Sequence, residues 1–330
     1  MKSNRQRRKR RGVYVSPAML LGAVAVVMGV ILLVTLLPRD SGEREPAQPV
    51  QPDQVPEQDV PAQLPEETAT ASGIPCRRTD LGQDAIYRGE LVLVNNWTEY
   101  HFPEEQDLVC MLEETSGDYI VRDYSVYLDP VAMEAFNEMM ADFLAQGGSR
   151  TINVVAGYRT AEQQQHLFDQ SAERNGLEHA EKYVAQPGGS EHHTGLVVDL
   201  SIYRSDGTSA DYDGTGEYAW INENCQKYGW VVRYDQAKAE LTGIYDEPWH
   251  FRYVGAPHAA EMVEQGMCME EYIDFLKQYT FEGDHLTIDC GAGRYEVWYA
   301  KGTEVYLPTE GEYSVSGNNV DGVIVTCKVG

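Results

Sequence analysis

No CxxC pair occurs in the 330 residues, which excludes a zinc ribbon and a thioredoxin-like redox motif. Basic side chains are scarce: 26 Lys and Arg stand against 52 Asp and Glu, for a net charge of -26. The scarcity is sharper than the total suggests. Seven of the cations lie in residues 1–12, so the chain from Arg39 onward carries -33. A surface so poor in cations argues against a nucleic-acid binder, whose phosphate contacts need basic patches. It also disfavours close contact with anionic lipid or polymer. Residues 13–38 have no charge at all. Extensive disorder is excluded by what remains, since 42% of residues are apolar and 21 are tyrosine.

The uncharged stretch fixes an expectation about compartment. Residues 18–37 (AMLLGAVAVVMGVILLVTLL) have neither a charge nor a polar stripe. As a helix they would span about 30 Å, the thickness of a bilayer core. The basic block before them, residues 1–17, predicts a cytoplasmic N-terminus. A cleavable signal peptide is the rival. The run, however, ends in Pro38-Arg39-Asp40 with no small-x-small site soon after, so we expect an uncleaved single-pass anchor with the remainder outside the cell. In residues 38–75 prolines alternate with Gln, Glu, Asp and Val, which predicts a linker with neither helix nor sheet. Fully extended, it would reach on the order of 100 Å. All six cysteines lie beyond the anchor, where disulfides are permitted. Cys290 and Cys327 form a reasonable internal pair near the C-terminus.

The outer part reads as α+β, with strands and helices mixed without a regular βαβ repeat. Strands are predicted at 91–94 (LVLV), 152–158, 196–202, 230–234 and 250–254. A helix over 130–146 follows the Asp129-Pro130 cap and stops at Gly147-Gly148. Another begins after Arg159 with the Thr160/Gln163 capping box. Three more are predicted from about 216 to 229, at 257–265 and at 269–279. From residue 280 short strands alternate with glycine-rich turns, which predicts a small all-β appendage over 280–330. Its tyrosines at 295, 299, 306 and 313 are better explained by packing than by glycan binding.

Two segments carry the chemistry. In SEHHTGLVVDL, residues 190–200, Asp199 interrupts an apolar strand, and a buried carboxylate needs a metal or a basic partner. His192 lies an odd number of residues before it, so on a straight strand the two would face opposite ways. Thr194-Gly195 can break the strand and swing His192 back. In EPWHFRYVG, residues 247–255, Pro248 prevents a helix interior, so Glu247 and His250 are not the helical pair of zincin proteases. A bend leading into a strand could let both line one cavity. His192, Asp199 and His250 would then supply three protein ligands to a zinc ion, with one position left for water and Glu247 free as a base. From spacing alone, a structural Asp199 without metal stays open.

These segments resemble a known family. SEHHTGLVVD is similar to the SxHxxGxxxD signature of the LAS-type zinc peptidases, and EPWHFRYVG to their ExxH element. GYRT at 157–160, with Gln164 after it, resembles the element found ahead of the first ligand in VanY-like D-alanyl-D-alanine carboxypeptidases. The order agrees, as do the intervening YGWVVRY and TGI segments, and the resemblance covers roughly residues 85–279. It implies a LAS-type zinc peptidase domain over 76–279, with a central antiparallel sheet flanked by helices. It implies Zn2+ held by His192, Asp199 and His250, Glu247 as catalytic base, and Arg159 steadying the substrate carbonyl or its oxyanion. Ser190 and Gln164 match positions near the substrate. His193 stands where relatives commonly carry a polar residue such as Gln.

The activity implied is removal of the terminal D-Ala from peptidoglycan stem pentapeptides. An L,D-carboxypeptidase acting on tetrapeptides, a wall-binding module without peptidase activity and a glycine-bridge endopeptidase are the alternatives. The calcium-like run Asp211-Tyr212-Asp213-Gly214 lacks its closing glutamate, because residue 222 is Asn, and reads as a turn. Serine catalysis at Ser190 fails for want of a G-x-S-x-G elbow.

Overall fold

The computed structural model describes residues 65–330. The basic segment, the anchor and the linker up to residue 64 lie outside the described residues. Among the described residues no helix is long and apolar enough to cross a membrane.

The centre is a six-stranded sheet flanked by helices, as the α+β reading expects. Its strands run in the order Ile120–Val121, Ile152–Ala156, Val197–Tyr203, Glu247–Tyr253 and Trp230–Tyr234, with Ser209–Asp211 paired to Val197–Tyr203. Every pairing is antiparallel except the short one between Ile120–Val121 and Ile152–Ala156. The helix Pro130–Ala145 starts where Asp129 accepts from the backbone N–H groups of Val131 and Ala132, which satisfies two orphan donors. It buries Met133, Phe136, Met140 and Phe143 against the sheet, with Phe136 edge-on to Trp230 at 5.7 Å. The Thr160/Gln163 capping box opens the helix Ala161–Asn175.

Four sequence expectations need correction. Residues 91–94 are buried but form no strand. Their backbone is satisfied mostly by side chains instead: Arg252 donates to the Glu90 and Val92 carbonyls, Asn319 to that of Leu93, and Ser316 Oγ accepts from Leu91 N–H, while Leu93 N–H donates to the Asn318 carbonyl. The linker was expected to lack structure up to 75, yet Glu67–Ala69 pairs with Pro75–Asp80. Thr68 and Thr70 suit an extended chain, and Gly73, at φ 85°, makes the turn. The strand Tyr313–Gly317 is absent from the sequence reading. Finally, all six cysteines are free. Cys290 and Cys327 lie on strands separated by Gly293–Lys301, so their backbones are two strand spacings apart, roughly 9.5 Å. A disulfide spans at most about 7 Å between Cα atoms.

The C-terminal strands run in the order Leu286–Cys290, Gly293–Lys301, Gly322–Lys328 and Tyr313–Gly317, while Glu304–Pro308 leaves to pair with Pro75–Asp80. They share hydrophobic clusters with earlier chain. Leu286, Val297 and Ile324 pack with Leu91, Met262 and Ile273, and Trp298 and Val325 with Cys76. Tyr299 and Tyr306 are buried in these clusters, whereas Tyr313 is exposed.

Among the polar links across this seam is a buried histidine. His258, on the helix Ala256–Gln265, is fully buried, with Nδ1 2.8 Å from Tyr272 Oη and Nε2 2.8 Å from Thr326 Oγ1. Burial pushes its imidazole down to about 3. The folded state therefore refuses a proton that the unfolded chain accepts near 6.5, so stability falls as pH drops below 6.5. The loss is about 2 kcal/mol by pH 5 at about 1.4 kcal/mol per unit. Urea midpoints at pH 7.5 and pH 5 should diverge accordingly in the wild type, and the gap should narrow in His258→Gln. An equal gap in both proteins would remove His258 as the cause.

Candidate active site

The segment after Ser190 is a single 3-10 turn, Glu191–Thr194, closed by Gly195 in the left-handed region at φ 74°. A side chain at Gly195 would be strained by that φ, and its Cβ would meet Leu108 at 2.5 Å. Thr194 Oγ1 donates to the Glu191 carbonyl at 2.6 Å and accepts from Leu196 N–H at 3.0 Å, which locks the turn. The turn swings His192 onto the face to which Asp199 points. His192 Nδ1 donates to the Gly157 carbonyl at 2.6 Å, and Nε2 lies 3.1 Å from Asp199 Oδ2.

His250 arrives from the neighbouring strand. It stands directly opposite Asp199 in the antiparallel register, with Nδ1 3.1 Å from Asp199 Oδ1. Glu247 precedes it by three residues, and on a regular strand it would face the other side. A register shift between Glu247 and Phe251, at Pro248, bulges the strand and turns both side chains to one side. Glu247 Oε2 is then 3.5 Å from His250 Nδ1.

Donor atoms of His192, Asp199 and His250 all lie within 4.8 Å of one another. The cluster is almost wholly buried, and Asp199 Oδ1 lacks a hydrogen-bond partner. Two imidazoles and a carboxylate around an unmet acceptor form the donor set of a catalytic zinc ion with one position open. The residues fit the metal.

Electrostatics separate the roles. His192 is pushed down to about 4, first by burial and then by Arg159, so it is neutral at pH 7. Burial also pulls on His250, but Asp199 and Glu191 outweigh it and push it up to about 9. Despite burial, His192, His250 and Arg159 hold Asp199 well below the usual carboxylate range. Burial pushes Glu247 up to about 7. Two carboxyls a few ångströms apart thus have their proton affinities driven in opposite directions, a pattern typical of acid–base sites.

Arg159 donates to Asp199 Oδ2 at 2.7 Å and, through Nη1, to Gln164 Oε1 at 3.3 Å. Gln164 is buried and donates to the Ala185 carbonyl at 2.8 Å, so it orients Arg159. Ser190 is buried at the wall of the same cavity, which measures about 390 Å3 and is also lined by Tyr234 and Trp249. His193 points away from the cluster. Its Nδ1 donates to the Arg159 carbonyl at 2.7 Å, and its Nε2 accepts from Gly188 N–H at 3.1 Å. A larger cleft of about 630 Å3 contains none of the cluster residues, so volume alone does not locate the chemistry.

Glu191, the completely buried acid between Ser190 and His192, is not among the residues that the sequence patterns single out. Arg233 Nε and Arg252 Nη1 donate to its Oε1 at 2.8 and 3.0 Å. Arg233 also donates to Glu270 at 2.8 Å. The available signal was an arginine inside each of the apolar strands WVVRY and HFRYV, which demands a buried counter-charge.

Comparison with known proteins places the chain among characterised relatives. Residues 125–256 match the family described as VanY: D-alanyl-D-alanine carboxypeptidase. A D-alanyl-D-alanine carboxypeptidase of Enterococcus faecium is 35% identical over 252 residues, 74% of this chain and 77% of the relative. The bifunctional D-Ala-D-Ala dipeptidase and D-Ala-D-Ala carboxypeptidase VanXYC of Enterococcus gallinarum is 35% identical over 159 residues, 47% of this chain and 82% of the relative. Among solved structures, the vancomycin resistance D,D-dipeptidase VanXYg with a D-Ala-D-Ala phosphinate analog superposes with a TM-score of 0.69 at 31% identity. That match covers 77% of this chain and 99% of the solved one.

Proposed function

The chain belongs to the VanY D-alanyl-D-alanine carboxypeptidase family, and we propose that it is itself a zinc-dependent D,D-carboxypeptidase that removes the terminal D-Ala from peptidoglycan stem peptides. The observation that carries this reading is Glu247: a carboxyl raised to about 7 beside a buried His-Asp-His cluster, in a cavity large enough for a peptide terminus.

His192, Asp199 and His250 hold the metal. Zinc there supplies Lewis-acid polarisation and makes water acidic enough to deprotonate near neutral pH. Glu247 accepts the proton of the attacking water as the O–C bond forms. As the C–N bond breaks, it returns that proton to the departing D-Ala amine, so no charge is left stranded in the cavity. Arg159 sets its guanidinium against the negative charge developing on the carbonyl oxygen. Gln164 keeps Arg159 in that orientation from below, and Ser190 borders the bound peptide.

We further infer that the catalytic unit works outside the cytoplasm, tethered through residues 18–37. The charge-free run behind a basic block supports this. Mass spectrometry of penta- and tetrapeptide stems, with and without chelator, tests the activity. We expect loss of one alanine from the pentapeptide, none from the tetrapeptide, and no loss under chelation. Trimming confined to the tetrapeptide would move the assignment to an L,D-enzyme. No release from either would favour a wall-binding module.

A further inference from the structure

His250 uses its two ring nitrogens in opposite directions. Nδ1 faces the cavity, 3.1 Å from Asp199 Oδ1 and 3.5 Å from Glu247 Oε2. Nε2 points away from it and lies 3.5 Å from Oε2 of Glu191. Neither Nε2 nor that Oε2 has a hydrogen-bond partner, and both are buried. An unmet donor and an unmet acceptor facing each other in a dry interior are costly unless they bond. A closure of about 0.6 Å would bring them to ordinary N–H···O length.

We propose that Glu191 is a positioning residue for the metal site: its Oε2 accepts a hydrogen bond from the Nε2–H of His250 and thereby keeps the Nδ1 lone pair turned to the ion. The proposal rests on the zinc reading given above. An imidazole that ligates through one nitrogen donates through the other, and the acceptor it finds sets tautomer, ring orientation and ligand strength. His192 meets this need with a neutral backbone carbonyl, that of Gly157. His250 meets it with a carboxylate, a stronger acceptor.

The arrangement of Glu191 suits that task. Both arginine contacts fall on Oε1, which leaves Oε2 uncommitted and aimed at the ring. The arginines are held in turn: Arg252 by the Glu90 and Val92 carbonyls, Arg233 by Glu270. A role limited to balancing the two guanidiniums does not account for Oε2, which neither of them meets. Glu270 belongs to the same buried charge cluster and makes no contact with His250, so it serves as the internal comparison.

Glu191→Gln tests the proposal. The arginines require the amide oxygen, so its NH2 turns toward His250 and sets a donor against a donor. Zinc affinity, measured by competition with a chromophoric chelator, should fall about 10- to 100-fold. The absorption bands of the Co2+-substituted protein should shift, because the ligand geometry changes. Glu270→Gln should leave both readouts as in the wild type. No loss in Glu191→Gln, or an equal loss in both variants, overturns the proposal. Should Glu191→Gln fail to fold, long-range 1H–15N spectra of the zinc-loaded wild type decide. A slowly exchanging, downfield proton on His250 Nε2 supports the proposal, and a proton on Nδ1 or a rapidly exchanging one overturns it. A wild type that binds no zinc would overturn the zinc reading as well. A wild type that binds zinc no better than Glu191→Gln would overturn this inference alone.

Discussion

Glu247→Gln should lower the rate of D-Ala release by roughly 10^2- to 10^4-fold while the protein keeps one zinc per chain; the rate range is that of a lost general acid–base group. The two halves of that result follow from one geometric fact. Glu247 touches the cluster through His250, at 3.5 Å, but is not one of the three residues whose donor atoms converge. Removing its charge should therefore leave the ligands intact and take away only the group that carries the proton. Its proton affinity suits that work. Burial raises the carboxyl to about 7, and a cation bound beside it would draw the value back down, so the carboxylate would be ionised at working pH yet still basic enough to accept a proton. Glutamine is nearly isosteric, so the largely buried site should repack without a cavity. The measurement pairs turnover of a D-Ala-D-Ala peptide with metal content by atomic absorption. Turnover near the wild-type level would remove Glu247 as the base. Loss of zinc together with turnover would make it a ligand.

How much of this was legible in the sequence depended on how local the physics is. The convergence of His192, Asp199 and His250 was legible because its difficulties were local. The odd spacing between His192 and Asp199 required a break in the strand, and Thr194-Gly195 supplied one. Pro248 excluded a helix and called for a bend, which the structure realises as a bulge. The caps at Asp129 and Thr160 were legible for the same reason. Glu191 was not, because its environment comes from Arg233 and Arg252, 42 and 61 residues further along. Residues 91–94 showed the right hydrophobicity for a buried strand. Their hydrogen bonds, however, go to groups more than 150 residues away, which no periodicity reports. The same distance hid the pairing of Pro75–Asp80 with Glu304–Pro308, which ties the C-terminal strands to the start of the catalytic unit. The expected Cys290–Cys327 pair failed because strand order, rather than proximity in sequence, decides which side chains meet.

Between pH 7 and 9 the apparent affinity for zinc should rise about tenfold per pH unit, since one proton must leave for each ion that binds. The proton is that of His250. In the metal-free protein its carboxylate neighbours raise it to about 9, so at pH 7 the ring is charged and serves as the counter-ion of Asp199. His192 adds nothing to this slope. Burial and Arg159 push it down to about 4, so it offers a free lone pair throughout the range. Asp199 adds nothing either, being ionised well below neutrality. Below pH 7 the slope should steepen, because Glu247 also takes up a proton in the empty site. Each tenfold change in affinity is worth about 1.4 kcal/mol of zinc-dependent stability, so the gap in melting temperature between loaded and stripped protein should shrink as the medium is acidified. Chelator competition from pH 6 to 9 gives the slope. Calorimetry in two buffers of different ionisation enthalpy counts the released proton, about one at pH 7.5 to 8. A flat profile would mean that His250 is already neutral in the empty site, and that its carboxylate neighbours do not hold the ring charged. On the sloped profile, activity lost in mild acid is lost through departure of the metal, and excess zinc at pH 6 should restore it.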